Sequence, residues 1–183
     1  MSQYKSIIGP VLEAHDERAK QLLALLGSSN DLIAIVLRGH LVVEELLFEA
    51  ISAHCQDREQ LEAAKFRFPQ LVSILRALEK IPAVPPEYWI SLAELNSLRN
   101  ALAHNLEPKD LTSRILRFIA TVEASATKTA FVVPEPRDSP DALKAAIHFL
   151  VGGLGVVAVW QSAIEELIRH QISKPNQTME PTR

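Results

Sequence analysis

Proline, glycine and capping residues cut this chain into segments, and nearly every segment between them repeats its apolar residues at helical spacing. Gly9-Pro10 opens a first helix with proline in its first turn, and Gly27 closes it just beyond Leu26. Ser29-Asn30-Asp31 offers caps for a second helix, about Asp31 to His54, the most apolar in the first two thirds of the chain. A third region, about Arg58 to Lys80, is expected to break at Pro69. Pro85-Pro86-Glu87 starts a fourth helix running to about His104, with Asn105 as a left-handed stop, and Pro108 starts a fifth that ends near Ser125. Phe131-Val132-Val133 is the only strand-like run and is too short to imply a sheet. The expected fold class is all-α.

Pro134, Pro136 and Pro140 make Thr127 to Ser139 an expected extended linker. Ser139-Pro140-Asp141 then caps a last helix, about Asp141 to Gln171, with Gly152, Gly153 and Gly155 at its middle, before a polar tail from Ser173 to Arg183. Its run from Ala145 to Trp160 is apolar except for His148 and falls short of the roughly 18–20 residues that a spanning helix needs. A helix packed on the bundle or on a partner is therefore expected, with a membrane segment as the minor alternative.

A chain of 183 residues with 48% hydrophobic residues can bury the core of one ordinary domain with an appended element. The formal charge of −3 excludes a surface-wide basic footprint, so any nucleic-acid contact is confined to a cleft. Cys55 is the only cysteine, which excludes an intramolecular disulfide framework and a cysteine-cluster zinc site and fits a reducing compartment. Gly9-Pro10 falls where a secretory signal needs a continuous apolar core, so no targeting segment is expected and the cytoplasm is the expected location.

The chemistry gathers on the fourth helix, in Leu95-Asn96-Ser97-Leu98-Arg99-Asn100-Ala101-Leu102-Ala103-His104-Asn105. A guanidinium binds phosphate through a planar fork, and an imidazole moves protons near neutral pH. At about 100° per residue, Leu92, Leu95, Leu98 and Leu102 form a core stripe. Trp89, Ala93, Asn96, Asn100 and Ala103 form an adjoining stripe that is small or polar apart from the tryptophan. Arg99 and His104 sit on opposite margins of that stripe, about 140° apart. One helix does not easily aim both at a single ligand atom, which points to a composite site between two chains. In the last helical turn, the dipole should raise the His104 pKa. The bland alternative is a capping histidine beside a solvated arginine.

Arg99-Asn100-x-x-x-His104 at the end of a helix in an all-helical chain resembles the signature of the HEPN superfamily (higher eukaryotes and prokaryotes nucleotide-binding). The similarity extends upstream through Phe66-Arg67-Phe68-Pro69-Gln70-Leu71-Val72 and Arg38-Gly39-His40-Leu41-Val42-Val43-Glu44-Glu45-Leu46, and covers roughly residues 10–125. The resemblance implies an up-and-down helical bundle, here residues 1–125; the expected linker at 126–140, appended helix at 141–172 and tail at 173–183 are not part of it. It also implies a homodimer whose motif helices face one another across a composite cleft. Many members are metal-independent endoribonucleases of toxin–antitoxin, phage-defence or RNA-processing systems. They use the ribose 2′-hydroxyl as nucleophile and leave a 2′,3′-cyclic phosphate. By position, Arg99 would bind the phosphate, His104 would transfer protons and Asn100 would orient the site. RNA is the implied substrate and an antitoxin or other protein an implied partner, with no cofactor or metal. Other members only bind, so a non-catalytic module for nucleotide, RNA or protein is the alternative.

The second helix offers support, because His40 and Glu44 share a stripe with Ile33, Leu37, Leu47 and Ile51, whereas Arg38, Glu45 and Glu49 fall opposite. A polar pair on an apolar stripe needs a partner, and Asn96 is a further supporting candidate. A hydrogen-bonded pair at the core's edge is the structural alternative to a site role. His54, His148 and His170 show no metal-ligand spacing, and no phosphate-binding glycine loop, paired catalytic carboxylates or nucleophile elbow occurs. Trp89 and Trp160 are expected to be packing anchors.

Overall fold

The computed structural model describes residue 13 and residues 16–27, 29–79, 82–104, 109–127 and 129–173, excluding the side chains of 104, 166–167 and 169–173. Among these, seven helices and no strand occur, so the chain is an all-α helical bundle. They are α1 (described over residues 16–24), α2 (Leu32–Ser52), α3 (Arg58–Ala63), α4 (Phe68–Leu78), α5 (Pro86–His104), α6 (Leu111–Ser125) and α7 (Pro140–Ser173).

Local chemistry accounts for the boundaries. Gly27 takes the left-handed conformation (φ 58°) that stops α1, and the Asp31 side chain accepts from the Ile33 N–H at 2.9 Å to begin α2. Asp57 caps α3 in the same way through Gln60 N–H at 3.1 Å. The third region does break, but ahead of Pro69, at residues 64–67. Pro69 lies in the first turn of α4, where its missing N–H leaves no bond unmade, and the Gln70 side chain reaches back to Arg67 N–H at 2.8 Å. The fifth helix starts at Leu111 behind Asp110, and Pro108 lies outside the described residues.

One core runs from Ala19 to Val157, with α2 and α5 at its centre. α2 packs on α4, α5 and α7, while α5 packs on α2, α4, α6 and α7. Leu92, Leu95, Leu98 and Leu102 are all buried, as their spacing on α5 predicts. Two glycines set the approach of α7. A Cβ on Gly39 would stand 2.4 Å from Ile147 Cδ1, and one on Gly153 would stand 2.2 Å from Tyr88 Cε2. The phenol of Tyr88 donates to the Leu150 carbonyl, seating α7 on α5. The segment before α7 lacks secondary structure but is held down, since Val133 is buried and Phe131 packs on Phe149 with ring centroids 4.6 Å apart.

Two expectations change. The apolar part of α7 is longer than the Ala145 to Trp160 run: Pro140–Glu165 spans 26 residues, so by length and composition it could cross a membrane. Half of its most apolar window is buried inside the fold, the pattern of a helix that packs in a core. Trp89 is a packing anchor at 5% exposure, but Trp160 is 46% exposed and anchors little.

Candidate functional site

α5 carries the motif stripe beside the face that its leucines commit to the core. The structure brings the supporting residues of α2 to that stripe. His40 is 3% exposed, stacks on Phe68 at 4.4 Å between ring centroids, and has its Nε2 3.2 Å from Asn96 Oδ1. Burial lowers the His40 pKa from 6.5 to about 4; the Asn96 hydrogen bond opposes the shift and the nearby Arg99 charge adds to it. The ring is therefore neutral near pH 7, with Nε2–H donating to Asn96. A base held so low is a fixed hydrogen-bond donor and a poor proton carrier at that pH.

Glu44 lies one turn further along α2, half-buried, with an oxygen 3.9 Å from His40 Nδ1. That separation is too long for a hydrogen bond, and with neutral His40 it is no ion pair. The partner of His40 is thus Asn96 on another helix rather than Glu44 on its own. Burial raises the Glu44 pKa, Arg99 pulls it down, and Glu45 pushes it up. Arg99 acts electrostatically on both groups, so His40, Glu44, Asn96 and Arg99 form one polar patch between α2 and α5.

Arg99 itself is exposed, and its Nη1 donates to Asn100 Oδ1 at 3.2 Å. An exposed guanidinium steered by a neighbouring amide, beside a desolvated carboxylate and a neutral imidazole, can receive an anionic oxygen from solvent. His104 is the last residue of α5; its side chain and Asn105 lie outside the described residues, as does the expected dipole effect on His104. Among the described residues no group of three or more His, Cys, Asp or Glu side chains is placed to hold a metal ion.

Two features escaped sequence reasoning. A cleft of about 420 Å³ opens beside Glu44, walled by α2, α3 and the start of α4. Its lining includes Phe66, Leu71 and Glu44, which the motif comparison already touches, but nothing local in the sequence brings α3 across from α2. The other is His54, just beyond α2. Its Nδ1 is 2.8 Å from Glu165 Oε1 and its Nε2 2.6 Å from Gln161 Oε1, both on α7 and more than a hundred residues away. Gln161 is buried and its Nε2 has no partner among the described residues.

No family model, no curated protein and no solved structure matches the chain.

Proposed function

We propose that the chain is a metal-independent endoribonuclease of HEPN type, working in the cytoplasm as a homodimer in a toxin or phage-defence setting. The observation that carries this reading is the meeting of two residue sets chosen separately from the sequence. Asn96, Arg99 and Asn100 of α5 stand against His40 and Glu44 of α2, with the cation exposed and the amides and imidazole partly or wholly buried around it. In the proposed reaction Arg99 binds the scissile phosphate and stabilises its added charge, and Asn100 orients the guanidinium. The substrate 2′-hydroxyl loses its proton and attacks phosphorus, the P–O5′ bond breaks, and O5′ takes up a proton. His104 serves the proton transfer. The products are a 2′,3′-cyclic phosphate and a 5′-hydroxyl.

Ribonuclease assay in excess chelator tests the reading. Arg99→Ala and His104→Ala should each slow cleavage by about 100-fold or more while helicity is unchanged. Co-expression of the two inactive variants should restore a fraction of the activity if Arg99 of one protomer works with His104 of its partner. Cleavage that depends on added magnesium would overturn the proposal.

The second reading, a binding module without turnover, is favoured by one specific observation. The cleft beside Glu44 carries Glu44, Glu45 and Glu62 against only Arg58 and Lys65, a poor surface for a phosphate backbone. It predicts binding of a partner without turnover, and a partner-dependent phenotype that survives His104→Ala, with no RNA cleavage in either protein.

A further inference from the structure

The same acidic cleft has a chemistry that repels phosphate yet suits a nucleobase. Its apolar lining comes from Leu41, Phe48, Leu61, Phe66 and Leu71, and the Arg58 guanidinium lies over the Phe48 ring at 5.0 Å, a planar cation on which a flat ring can stack. A volume of about 420 Å³ lies in the range of small-ligand pockets, roughly 300–1,000 Å³.

The three carboxylates are not equivalent. Glu45 is held by Arg18 Nη2 at 3.3 Å, and Glu62 is exposed on α3. Glu44 is half-buried and forms no hydrogen bond among the described residues, with His40 Nδ1 standing 3.9 Å off. A partly desolvated carboxylate without donors is costly, and burial accordingly raises its pKa. An ionised carboxylate accepts through two oxygens and donates nothing. Of the four RNA bases, guanine offers two adjacent N–H donors on its Watson–Crick edge, at N1 and N2, which match that fork. Glu44 lies one turn along α2 from His40, whose Nε2 is 3.2 Å from Asn96, itself one turn before Arg99 on α5, so Glu44 joins the cleft to the polar patch that carries Arg99.

We propose that the cleft walled by α2, α3 and the start of α4 is a guanine-binding subsite, in which Glu44 accepts N1–H and N2–H of a nucleotide whose phosphate docks at Arg99. This rests on the reading of Arg99 as an RNA phosphate anchor. The acidic rim then acts as a selector: it rejects phosphate from the cleft, directs it to the exposed guanidinium, and favours the base with the donor-rich edge.

Equilibrium binding of the four nucleoside 3′-monophosphates to the full chain, followed by calorimetry and by amide shifts, tests the subsite. Guanosine 3′-monophosphate should bind about ten-fold more tightly than the other three, with shifts centred on α2 and α3. Glu44→Gln, which keeps the shape of the side chain, should abolish that preference, and Arg99→Ala should weaken all four by a similar factor. Equal binding of the four, no binding, or a preference that survives Glu44→Gln overturns the subsite. So does Phe66→Asp converting a dimer to a monomer without changing nucleotide binding, because the cleft would then hold a second copy of the chain. RNA left intact by a protein that prefers guanosine 3′-monophosphate rejects the ribonuclease and keeps the subsite. Cleavage with no preference for guanine beside the scissile bond rejects the subsite and keeps the ribonuclease.

Discussion

One helix, α2, places a histidine near its middle and another just past its end, and the two meet opposite treatment. His40 is sandwiched between Phe68 and α5, makes a single hydrogen bond to Asn96, and is kept neutral by burial. His54 has both ring nitrogens against α7, on the Glu165 carboxylate and the Gln161 amide. The residue type is the same; the difference lies in which helix packs opposite. Around His40, burial beside Phe68 and the nearby Arg99 charge disfavour an added proton, and the Asn96 hydrogen bond only partly offsets them. Around His54 they are oxygens, which tie it to a helix distant in sequence.

The comparison can be broken most forcefully through pH. His40 binds a proton at 6.5 in the unfolded chain and only near 4 in the folded one, so between these values the unfolded state holds more protons and stability rises with pH. The contribution is fully present above 6.5 and is lost as pH falls toward 4, by about 3 kcal/mol. Urea unfolding across this window should show that loss in the wild type and a smaller loss in His40→Gln; equal losses would show that His40 is not held neutral by the fold. Next in size, His54→Leu should cost about 2 kcal/mol in the same measurement, because it strips the hydrogen bond from buried Gln161. Asn96→Ala sharpens the other end: losing one neutral hydrogen bond should cost about 1 kcal/mol, and the His40 imidazole resonances should shift in an NMR spectrum. Smallest, Arg18→Ala removes half-buried pairs with Glu45 and Glu49 on α2 and should change stability by about 0.5 kcal/mol, falling further in high salt.

How much of this was legible varies with the residue. His40 and Glu44 stood out because polar side chains interrupted an apolar stripe, and Asn96 and Asn100 because they lined a small stripe beside four leucines. Their meeting could be expected in kind, since a polar group on a buried stripe needs a partner, but that Asn96 rather than Glu44 supplies it depends on the approach of α2 to α5. His54 looked unremarkable because its partners come from α7. The cleft was invisible for a similar reason: it exists only because the chain turns back through Lys65, at φ 50°, between α3 and α4. Pro69 misled as a helix breaker because proline is equally at home in a first turn.

By itself, the sequence determined the helical class, the boundaries set by Asp31, Gly27 and Pro86, and the face of α5 that enters the core. These depend on hydrogen bonds and side-chain periods within a few residues, which local order carries. Only the tertiary structure decided that α7 joins the core through Gly39 and Gly153, that His40 is held neutral, and that a cleft opens beside Glu44. Those outcomes depend on desolvation and on contacts between distant segments, and neither is a property of any residue until its neighbours are in place.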